Sequence, residues 1–362
     1  MCRRSSLVVR TVGVAGGLLA ATALAAPASA EPRPTPLAEG LLSPLSVAQG
    51  DDGTVWFTQN YAGTLERRDP DGDTAVVARA SGDLELAGVT EEDGTVWYAV
   101  SGRGHTVGRL HRLDPDGTDG VVADLYAHER DTNPDAGTTY GFRDLPPRCA
   151  ARLPEDDGRA VRKGPAETHP YNLLRAHGAV YVADAAANAI TAVAGQDVAT
   201  TVAVLPAVRT TMSAAYAEEN GLPACSVGRD YWAEAVPTDV EPGPDGSLYV
   251  TTLPGGPGAV DGEPAGQVLR ILILTGQISV VASGLDNPTG LAVSDGGDLY
   301  VCELQADRIS RIAAGTGVAQ PFASQIFPGD VEWTPDGLLA TIDVLSGTDG
   351  VDPPAGEVVR LN

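Results

Sequence analysis

The sequence predicts an all-β fold, a six-bladed β-propeller of four-stranded antiparallel blades, and the prediction rests on a repeat, its turns and its two ends. The chain has 362 residues with 43 glycines and 27 prolines, a composition typical of many turns and short strands. An apolar strand, a tight turn and an apolar-aromatic strand recur six times, in residues 43–59, 85–101, 169–184, 236–252, 287–303 and 327–343. Each copy is followed by a third strand and most by a fourth. Four antiparallel strands repeated about every 40 residues are the signature of a propeller.

The turns agree with this register. Asp-Gly pairs lie between the first and second strands in segments such as "DDGT" and "GPDGS", and glycine tolerates the positive φ that a tight hairpin demands. "DPDG" at 69–72 and 114–117 resembles the start of a calcium loop. Both tetrapeptides lack the later acidic ligands of such a loop, so we interpret them as turns between the third and fourth strands.

The two ends of the predicted array complement each other. The last repeat stops after its third strand at Asn362, whereas residues 35–41 match the pattern of a fourth strand. We therefore expect the mature N-terminal strand to close the last blade, which would protect strand edges that an open array leaves exposed. An open β-solenoid would lack this pair of complementary ends.

The N-terminus has the features of a secretory signal peptide. Residues 1–30 begin with a basic segment, continue with an apolar stretch and end in the small-residue motif Ala28-Ser29-Ala30. We predict cleavage before Glu31, export from the cytoplasm, a single propeller domain over 31–362 and no transmembrane segment after cleavage. Arg3-Arg4 hints at twin-arginine export, but the residues that follow match that signal only loosely.

The charge of the chain restricts its partners. The formal net charge is −24, and because residues 1–30 hold three arginines and no acid, the mature chain would reach −27. Nucleic acids and anionic membranes are bound by basic surfaces, so neither is an expected partner. A small molecule or an extracellular protein remains, and we expect a monomer.

Two insertions interrupt the repeat, at about 127–167 and 207–235. Each joins a fourth strand to the next first strand, so both should emerge on one face, together with the long loops 253–266 and 346–356. Loops gathered on one side of a rigid scaffold are the usual place for function.

Cys149 and Cys225 lie in the two insertions, and we predict a disulfide between them. Cys302 lies within a strand and is expected to be a buried thiol.

Several segments resemble a known family. "NPDAGTTYGFRDLPPRCAARLP", "ETHPYNLL", "NGLPAC" and "VPTDVEPGPDGSLYVTTLPGGPG" are similar to the ScyD/ScyE family of exported propellers, a likeness that spans nearly the whole mature chain and includes both insertion cysteines. More distantly, "NPTGLAVSDGGDLYV" resembles NHL-repeat and gluconolactonase-type propellers. The resemblance implies a secreted propeller and assigns no reaction to particular residues.

Polar residues recur where the first strands enter the central channel. One position in each blade is occupied in turn by Ser46, Gly88, Asn172, Asp239, Gly290 and Asp330. Asp184 and Glu303 end second strands and approach the same face. Gluconolactonase-like propellers build a divalent-cation site from such a ring, and its oxygen ligands suit calcium or magnesium; no other cofactor is predicted. The alternative is that these short side chains cap free backbone N–H groups at the strand entrances.

Two functions follow from these observations. The first is an exported binding or scaffold protein that uses the loop-rich face and the channel mouth, because the chain shows no nucleophile elbow, zinc helix or phosphate loop. The second is a metal-assisted lactonase or lyase, with a cation on Asn172, Asp239, Asp330 and Glu303 and with His169 or Asp184 as the base.

Overall fold

The computed structural model describes residues 31–154, 160–195, 198–256, 259–260 and 263–362, and it confirms a six-bladed propeller with four-stranded antiparallel blades. The predicted signal peptide, residues 1–30, lies outside this range. Among the residues that are described, no helix has both the length and the apolar composition needed to cross a bilayer.

Blades 1 to 3 follow the predicted repeats. Blade 1 consists of Val47–Gln49, Val55–Gln59, Thr64–Arg68 and Thr74–Arg79. Blade 2 consists of Glu85–Glu92, Thr95–Ser101, Gly108–Leu113 and Asp119–Asp124. Blade 3 consists of Pro170–Ala176, Ala179–Asp184, Ala189–Ala194 and Val198–Val204. In each blade the strands pair in sequence order, so the first strand lies at one edge of the sheet.

Blades 4 and 5 have the same order. Blade 4 consists of Pro237–Pro242, Leu248–Thr252, Gly266–Leu272 and Gln277–Leu285, with a short hairpin of Ala259–Val260 and Glu263–Pro264 after its second strand. Blade 5 consists of Pro288–Val293, Leu299–Glu303, Arg308–Ile312 and Ala319–Ser324, with a 3-10 turn at Leu304–Ala306. The Asp-Gly turn of blade 4 places Gly246 at φ 75°, a conformation that favours glycine.

The sixth sheet contains both ends of the described chain. Its strands are Val331–Thr334, Gly337–Ile342, Gly356–Leu361 and Pro34–Leu41. The strand Pro34–Leu41 runs antiparallel to Gly356–Leu361, with Pro34 opposite Leu361 and Leu41 opposite Gly356. The outer strand of this sheet therefore comes from the N-terminal side of the propeller.

The core lies between the blades. Within the described chain, six apolar clusters each join two neighbouring sheets. Phe57 of blade 1 and Leu339 of blade 6 are both fully buried in one of them, and Ile190 of blade 3 and Val240 of blade 4 are fully buried in another. Alternating strand residues therefore face the next blade, and the blades are held together mainly by apolar burial.

The two insertions form a small accessory unit with its own core. The first contains the helices Leu125–Thr132 and Pro147–Ala150 and the short strands Thr139–Tyr140 and Arg162–Lys163. The second contains Val208–Thr211, the helix Ala214–Glu219, the 3-10 turn Ala224–Ser226 and Asp230–Ala233. Phe142 of the first insertion packs with Met212 and Tyr231 of the second. The predicted disulfide is confirmed, because Cys149 and Cys225 are bonded to each other, whereas Cys302 is a buried free thiol.

Truncating Phe57 to alanine should lower the free energy of unfolding by about 3–5 kcal/mol, because the change opens a cavity between blades 1 and 6. Denaturant unfolding measures this loss. Val76→Ala is the matched control, since Val76 lies in the outer strand of blade 1 and is 41% exposed; its effect should stay within about 0.5 kcal/mol. Equal losses in the two variants would contradict an apolar seam at this junction.

Replacing Cys149 and Cys225 by alanine should destabilise the accessory unit, because the bond closes a loop spanning 76 residues. The chain-entropy treatment gives about 4.5 kcal/mol for a loop of this size. Limited proteolysis should then cut within the insertions while the blades persist. A cleavage pattern identical to that of the parent protein would show that packing alone holds the unit.

Candidate functional site

The polar residues at the channel entrance bind backbone amides of their own blade and of the next one. Asp239 Oδ1 accepts a hydrogen bond from the amide of Val240 at 2.7 Å, and its Oδ2 accepts one from the amide of Leu291 in blade 5 at 2.6 Å. Asp330 repeats the arrangement, with Oδ1 2.9 Å from the amide of Val331 and Oδ2 2.9 Å from the amide of Val47 in blade 1. Each carboxylate therefore joins two first strands.

Ser46 and Asn172 extend this network. Ser46 Oγ accepts from the amide of Val89 in blade 2 at 3.1 Å and donates to Asn172 Oδ1 at 2.8 Å. Asn172 Oδ1 also accepts from the amide of Leu173, and its Nδ2 donates to Asp330 Oδ2 at 3.3 Å. The structure thus brings Asn172 and Asp330, two of the predicted ligands, into direct contact through hydrogen bonds that already use their polar atoms.

The glycines of this ring leave no room for a side chain. A Cβ built on Gly88 would lie 2.5 Å from Cα of Asn172, and one built on Gly290 would lie 2.5 Å from Cα of Asp330. Real Cβ atoms do not approach another carbon this closely. The first strands of blades 2 and 3, and those of blades 5 and 6, therefore approach each other so closely that these two positions require glycine.

Glu303 takes part in a different cluster. Its carboxylate accepts two hydrogen bonds from Arg308, both at 2.8 Å, one from the amide of Asp286 at 2.8 Å and one from the hydroxyl of Ser310. Burial alone would raise the pKa of Glu303, but these hydrogen bonds outweigh it and the pKa lies below its ordinary value. Through these bonds the Glu303 side chain joins strands of blade 5 to each other and to the connection that leads into the blade.

The oxygens of the donor set predicted for a divalent cation are therefore already engaged in hydrogen bonds within the protein. Asp239, Asp330 and Asn172 direct their oxygens at strand amides, and Glu303 is bound to an arginine. Across the described ranges, no three His, Cys, Asp or Glu side chains are arranged to hold a metal ion. The geometry matches the capping alternative, in which the ring satisfies the N–H groups of the inner strands.

The buried carboxylates of the channel repel one another. Burial and the neighbouring Asp330 raise the pKa of Asp239 well above its ordinary value, and burial raises the pKa of Asp330 to about 6. Glu241 and Glu332, two residues further along the same strands, are half-buried. Burial and the charge of Asp330 raise the pKa of Glu332 to about 8. A proton on Glu332 therefore stabilises the folded protein near neutral pH.

These acids reach a cavity of about 290 Å³ at the ends of the first strands, where the Asp-Gly turns lie. Its lining includes Glu91, Glu241, Glu332, Asp330 and a single cation, Arg175. Arg175 is already paired with Glu92 at 2.7 Å. We call this space the turn-face cavity, and it is strongly acidic.

A second cavity, of about 620 Å³, lies at the opposite end of the strands, and we call it the loop-face cavity. Its walls come from connections that enter first strands and from loops that follow second strands, which meet at one end of an antiparallel blade. The lining residues are Leu42, Tyr61, Glu85, Arg103, His105, His169, Gly347, Thr348 and Gly350. Of the predicted site residues, His169 is the one that lines this cavity.

His169 is held by the backbone around it. Asp184 Oδ1 accepts from the amide of His169 at 2.6 Å and from the amide of Ala187 at 3.2 Å, while its Oδ2 accepts from the hydroxyl of Thr168. With its oxygens so engaged, the fully buried Asp184 is a positioning residue for the segment that presents His169. The predicted role of Asp184 as a base has no support in this geometry.

The His169 imidazole is close to a second histidine. Its ring centroid is 5.2 Å from that of His105, whose Nδ1 lies 3.5 Å from Glu167. Burial, and then the charge of His105, lower the pKa of His169, so its imidazole is neutral at pH 7. Nδ1 of His169 is buried and has no hydrogen-bond partner in the structure. A neutral imidazole in this state can bind a ligand or accept a proton.

Sequence reasoning missed His105, Glu85, Arg103 and Tyr61 as site residues. His105 follows the second strand of blade 2, and His169 precedes the first strand of blade 3, so they are 64 positions apart in the sequence. The signal that was available is topological: a loop after a second strand and the entry to the next first strand share one face. Side-chain type alone did not distinguish His105 from a surface histidine.

Comparison with known proteins supports the fold. No family model matches the chain, and no curated protein matches it. Among solved structures, a catalytically inactive histidine-to-alanine variant of virginiamycin B lyase from Staphylococcus aureus, with quinupristin, aligns with a TM-score of 0.51 and 16% identity over 92% of this chain and 99% of its own.

Two further structures are similar. A gluconolactonase from Xanthomonas campestris aligns with a TM-score of 0.53 and 12% identity, covering 91% of this chain and 90% of its own. A luciferin-regenerating enzyme aligns with a TM-score of 0.57 and 10% identity, covering 91% and 95%. These structures are six-bladed propellers, and at such identities the likeness establishes the fold.

Because the channel acids are buried, we predict that the stability of the folded protein falls as the pH rises. The pKa of Glu332 in the folded protein, about 8, exceeds its ordinary value of 4.5, so its contribution is complete below pH 4.5 and is lost as the pH rises through 8. Glu332→Gln should therefore flatten the fall in melting temperature between pH 5 and 9. The exposed Glu39→Gln serves as the control. Parallel pH profiles for Glu332→Gln and the parent would disprove this assignment.

Proposed function

We propose that this chain is a binding protein for a small molecule, with the loop-face cavity as its site. The observation that carries the proposal is the neutral imidazole of His169, which lines a cavity of about 620 Å³ and has a buried Nδ1 without a partner. The volume lies in the range of about 300–1,000 Å³ typical of ligand sites. A buried polar atom without a hydrogen bond is costly, and rotation of the imidazole toward the cavity would let a ligand or an ordered water supply the bond.

The chain is proposed to act outside the cytoplasm as a monomeric, single-domain propeller over residues 31–362. The Cys149–Cys225 disulfide supports this location, because such bonds persist in oxidising compartments. The signal-like segment 1–30 and the resemblance to ScyD/ScyE proteins support export as well. The accessory unit would then serve as a rigid wall beside the channel mouth.

A second candidate function is acid-base catalysis at the same place, as in a lyase or a lactonase. The neutral His169 favours it, because such an imidazole can take a proton from a carbon acid or from water attacking an ester carbonyl. The solved lyase and gluconolactonase share the fold, and the lyase is inactivated by replacement of a histidine. The metal-assisted form of this hypothesis does not match the donor set in the channel.

A ligand-observed NMR screen of small polar fragments tests the binding function. Fragments that occupy the loop-face cavity should bind at least tenfold more weakly to His169→Phe, which keeps a ring and removes both nitrogens. His177→Asn is the control, because His177 is exposed in a turn and asparagine tolerates its φ of 52°. Fragments that bind all three proteins equally would exclude His169 from the site.

A panel of lactones separates the second function from the first. Turnover that survives chelation of metal ions and disappears in His169→Phe would establish histidine chemistry. Turnover that chelators abolish would restore the metal-assisted hypothesis. Binding without turnover of any lactone would leave the first function in place.

A further inference from the structure

We infer that the ligand of the loop-face cavity is a small organic anion, a carboxylate held by the guanidinium of Arg103. The inference rests on the proposed function and adds the chemical class of the ligand. The basis for it is the difference between the charged side chains that the cavity walls expose and those that they bury.

Arg103 presents an unused edge of its guanidinium to the cavity. Its Nε donates to Glu85 Oε1 at 2.9 Å, which is the one hydrogen bond that the described structure gives this side chain. An arginine carries five N–H donors in a planar fork, so the two terminal nitrogens remain available. A carboxylate is the partner that matches such a fork with two parallel hydrogen bonds.

Glu85 does not neutralise the positive charge of Arg103 on the side that faces the cavity. The side chain of Arg103 is 72% exposed, whereas that of Glu85 is 9% exposed. The carboxylate therefore lies beneath the guanidinium and orients it, while the cation faces the open space. A ligand entering the cavity meets Arg103 before it can approach Glu85.

Tyr61 and the two histidines complete the walls. The guanidinium carbon of Arg103 lies 5.5 Å from the centroid of the Tyr61 ring, and Tyr61 is 46% exposed. The ring supports the guanidinium and offers an apolar surface to the rest of a ligand. His105 and His169 add two imidazole rings to the lining. These groups suit a molecule with one anionic end and a flat apolar or polar body.

At the opposite end of the channel the lining is negatively charged. The turn-face cavity is lined by Glu91, Glu241, Asp295, Asp330 and Glu332, with only the paired Arg175 among them. Arg103 is the arginine that lines the loop-face cavity, in a chain with a net charge of −24. An anion is therefore disfavoured at the turn face and accommodated at the loop face.

Three probes that share a phenyl ring test the inference: benzoate, benzamide and benzylammonium, titrated into the full mature protein and followed by ligand-observed NMR. Benzoate should bind at least tenfold more tightly than benzamide, because a charge-assisted bond to arginine is stronger than a neutral one. Arg103→Gln should remove this preference while leaving Glu85 a hydrogen-bond donor. Arg103→Lys, which keeps the charge but not the fork, should retain part of it.

The matched control is Arg112→Gln. Arg112 is 48% exposed and is paired with Asp114, beside a turn on the other face, so its replacement should leave benzoate binding unchanged. Melting temperatures of all variants verify that they are folded.

Each outcome has a distinct meaning. Equal binding of benzoate and benzamide, tighter binding of benzylammonium, or the same benzoate affinity in Arg103→Gln and Arg112→Gln would overturn the anion assignment. Failure of all three probes to bind at 10 mM would overturn it as well, since an open arginine site should hold benzoate. None of these results would remove the proposed binding function, which depends on the separate response of fragments to His169→Phe.

Discussion

The propeller depends on satisfying the backbone amides of its inner strands. Six first strands surround the channel, and neighbouring ones approach so closely that a Cβ at Gly88 or Gly290 would overlap the backbone of the next blade. Amides in such a place must find acceptors within the protein, because an unpaired buried N–H is costly. Asp239, Asp330 and Ser46 supply the acceptors, and each one reaches an amide of the following blade. The same side chains thereby cap the strands and set the spacing between blades.

This arrangement explains why the channel is acidic. Carboxylates are strong acceptors for two amides at once, which makes them suitable caps, but burying them close together raises the pKa values of Asp239 and Asp330. The oxygens that would bind a cation are the ones that the strands use. The side-chain atoms of the ring are therefore occupied by the strands. A ligand that needs free side-chain atoms would find them at the ends of the channel, where the loops provide the walls.

Most of the fold was predictable, because the signals that determine it are local and repeated. Alternating apolar residues, Asp-Gly turns and a period of about 40 residues recur six times, and the structure places strands at every copy. The Cys149–Cys225 bond was predictable for the same reason, since the register put both cysteines on connections between neighbouring blades.

The site was only partly predictable. The sequence pointed to His169 and to the ring, but it could not decide whether Asp239 and Asp330 bind a cation or strand amides, because both uses place a short acid at the same position. The choice depends on distances of about 2.6–2.9 Å between blades. The pair of Arg103 and Glu85 could not be recognised from the sequence. Its proposed role depends on the different solvent exposure of the two side chains, which residue type does not reveal.

The accessory unit connects the scaffold to the loop-face cavity. Asp135 of the first insertion accepts hydrogen bonds from Tyr140 and from Asn188 of blade 3, at 2.9 and 3.3 Å. Glu129, in the helix Leu125–Thr132, is 2% exposed, and burial together with the charges of Asp184 and Asp135 raises its pKa to about 8. Glu129 of the insertion is thus close enough for its charge to interact with that of Asp184, which holds the amide of His169. Because the disulfide ties this insertion to the second one, the position of the imidazole is determined by the blade, the insertion and the covalent bond together. Covalent and hydrogen-bonded supports of this kind restrict a side chain before a ligand arrives, and such preorganisation lowers the entropy lost on binding.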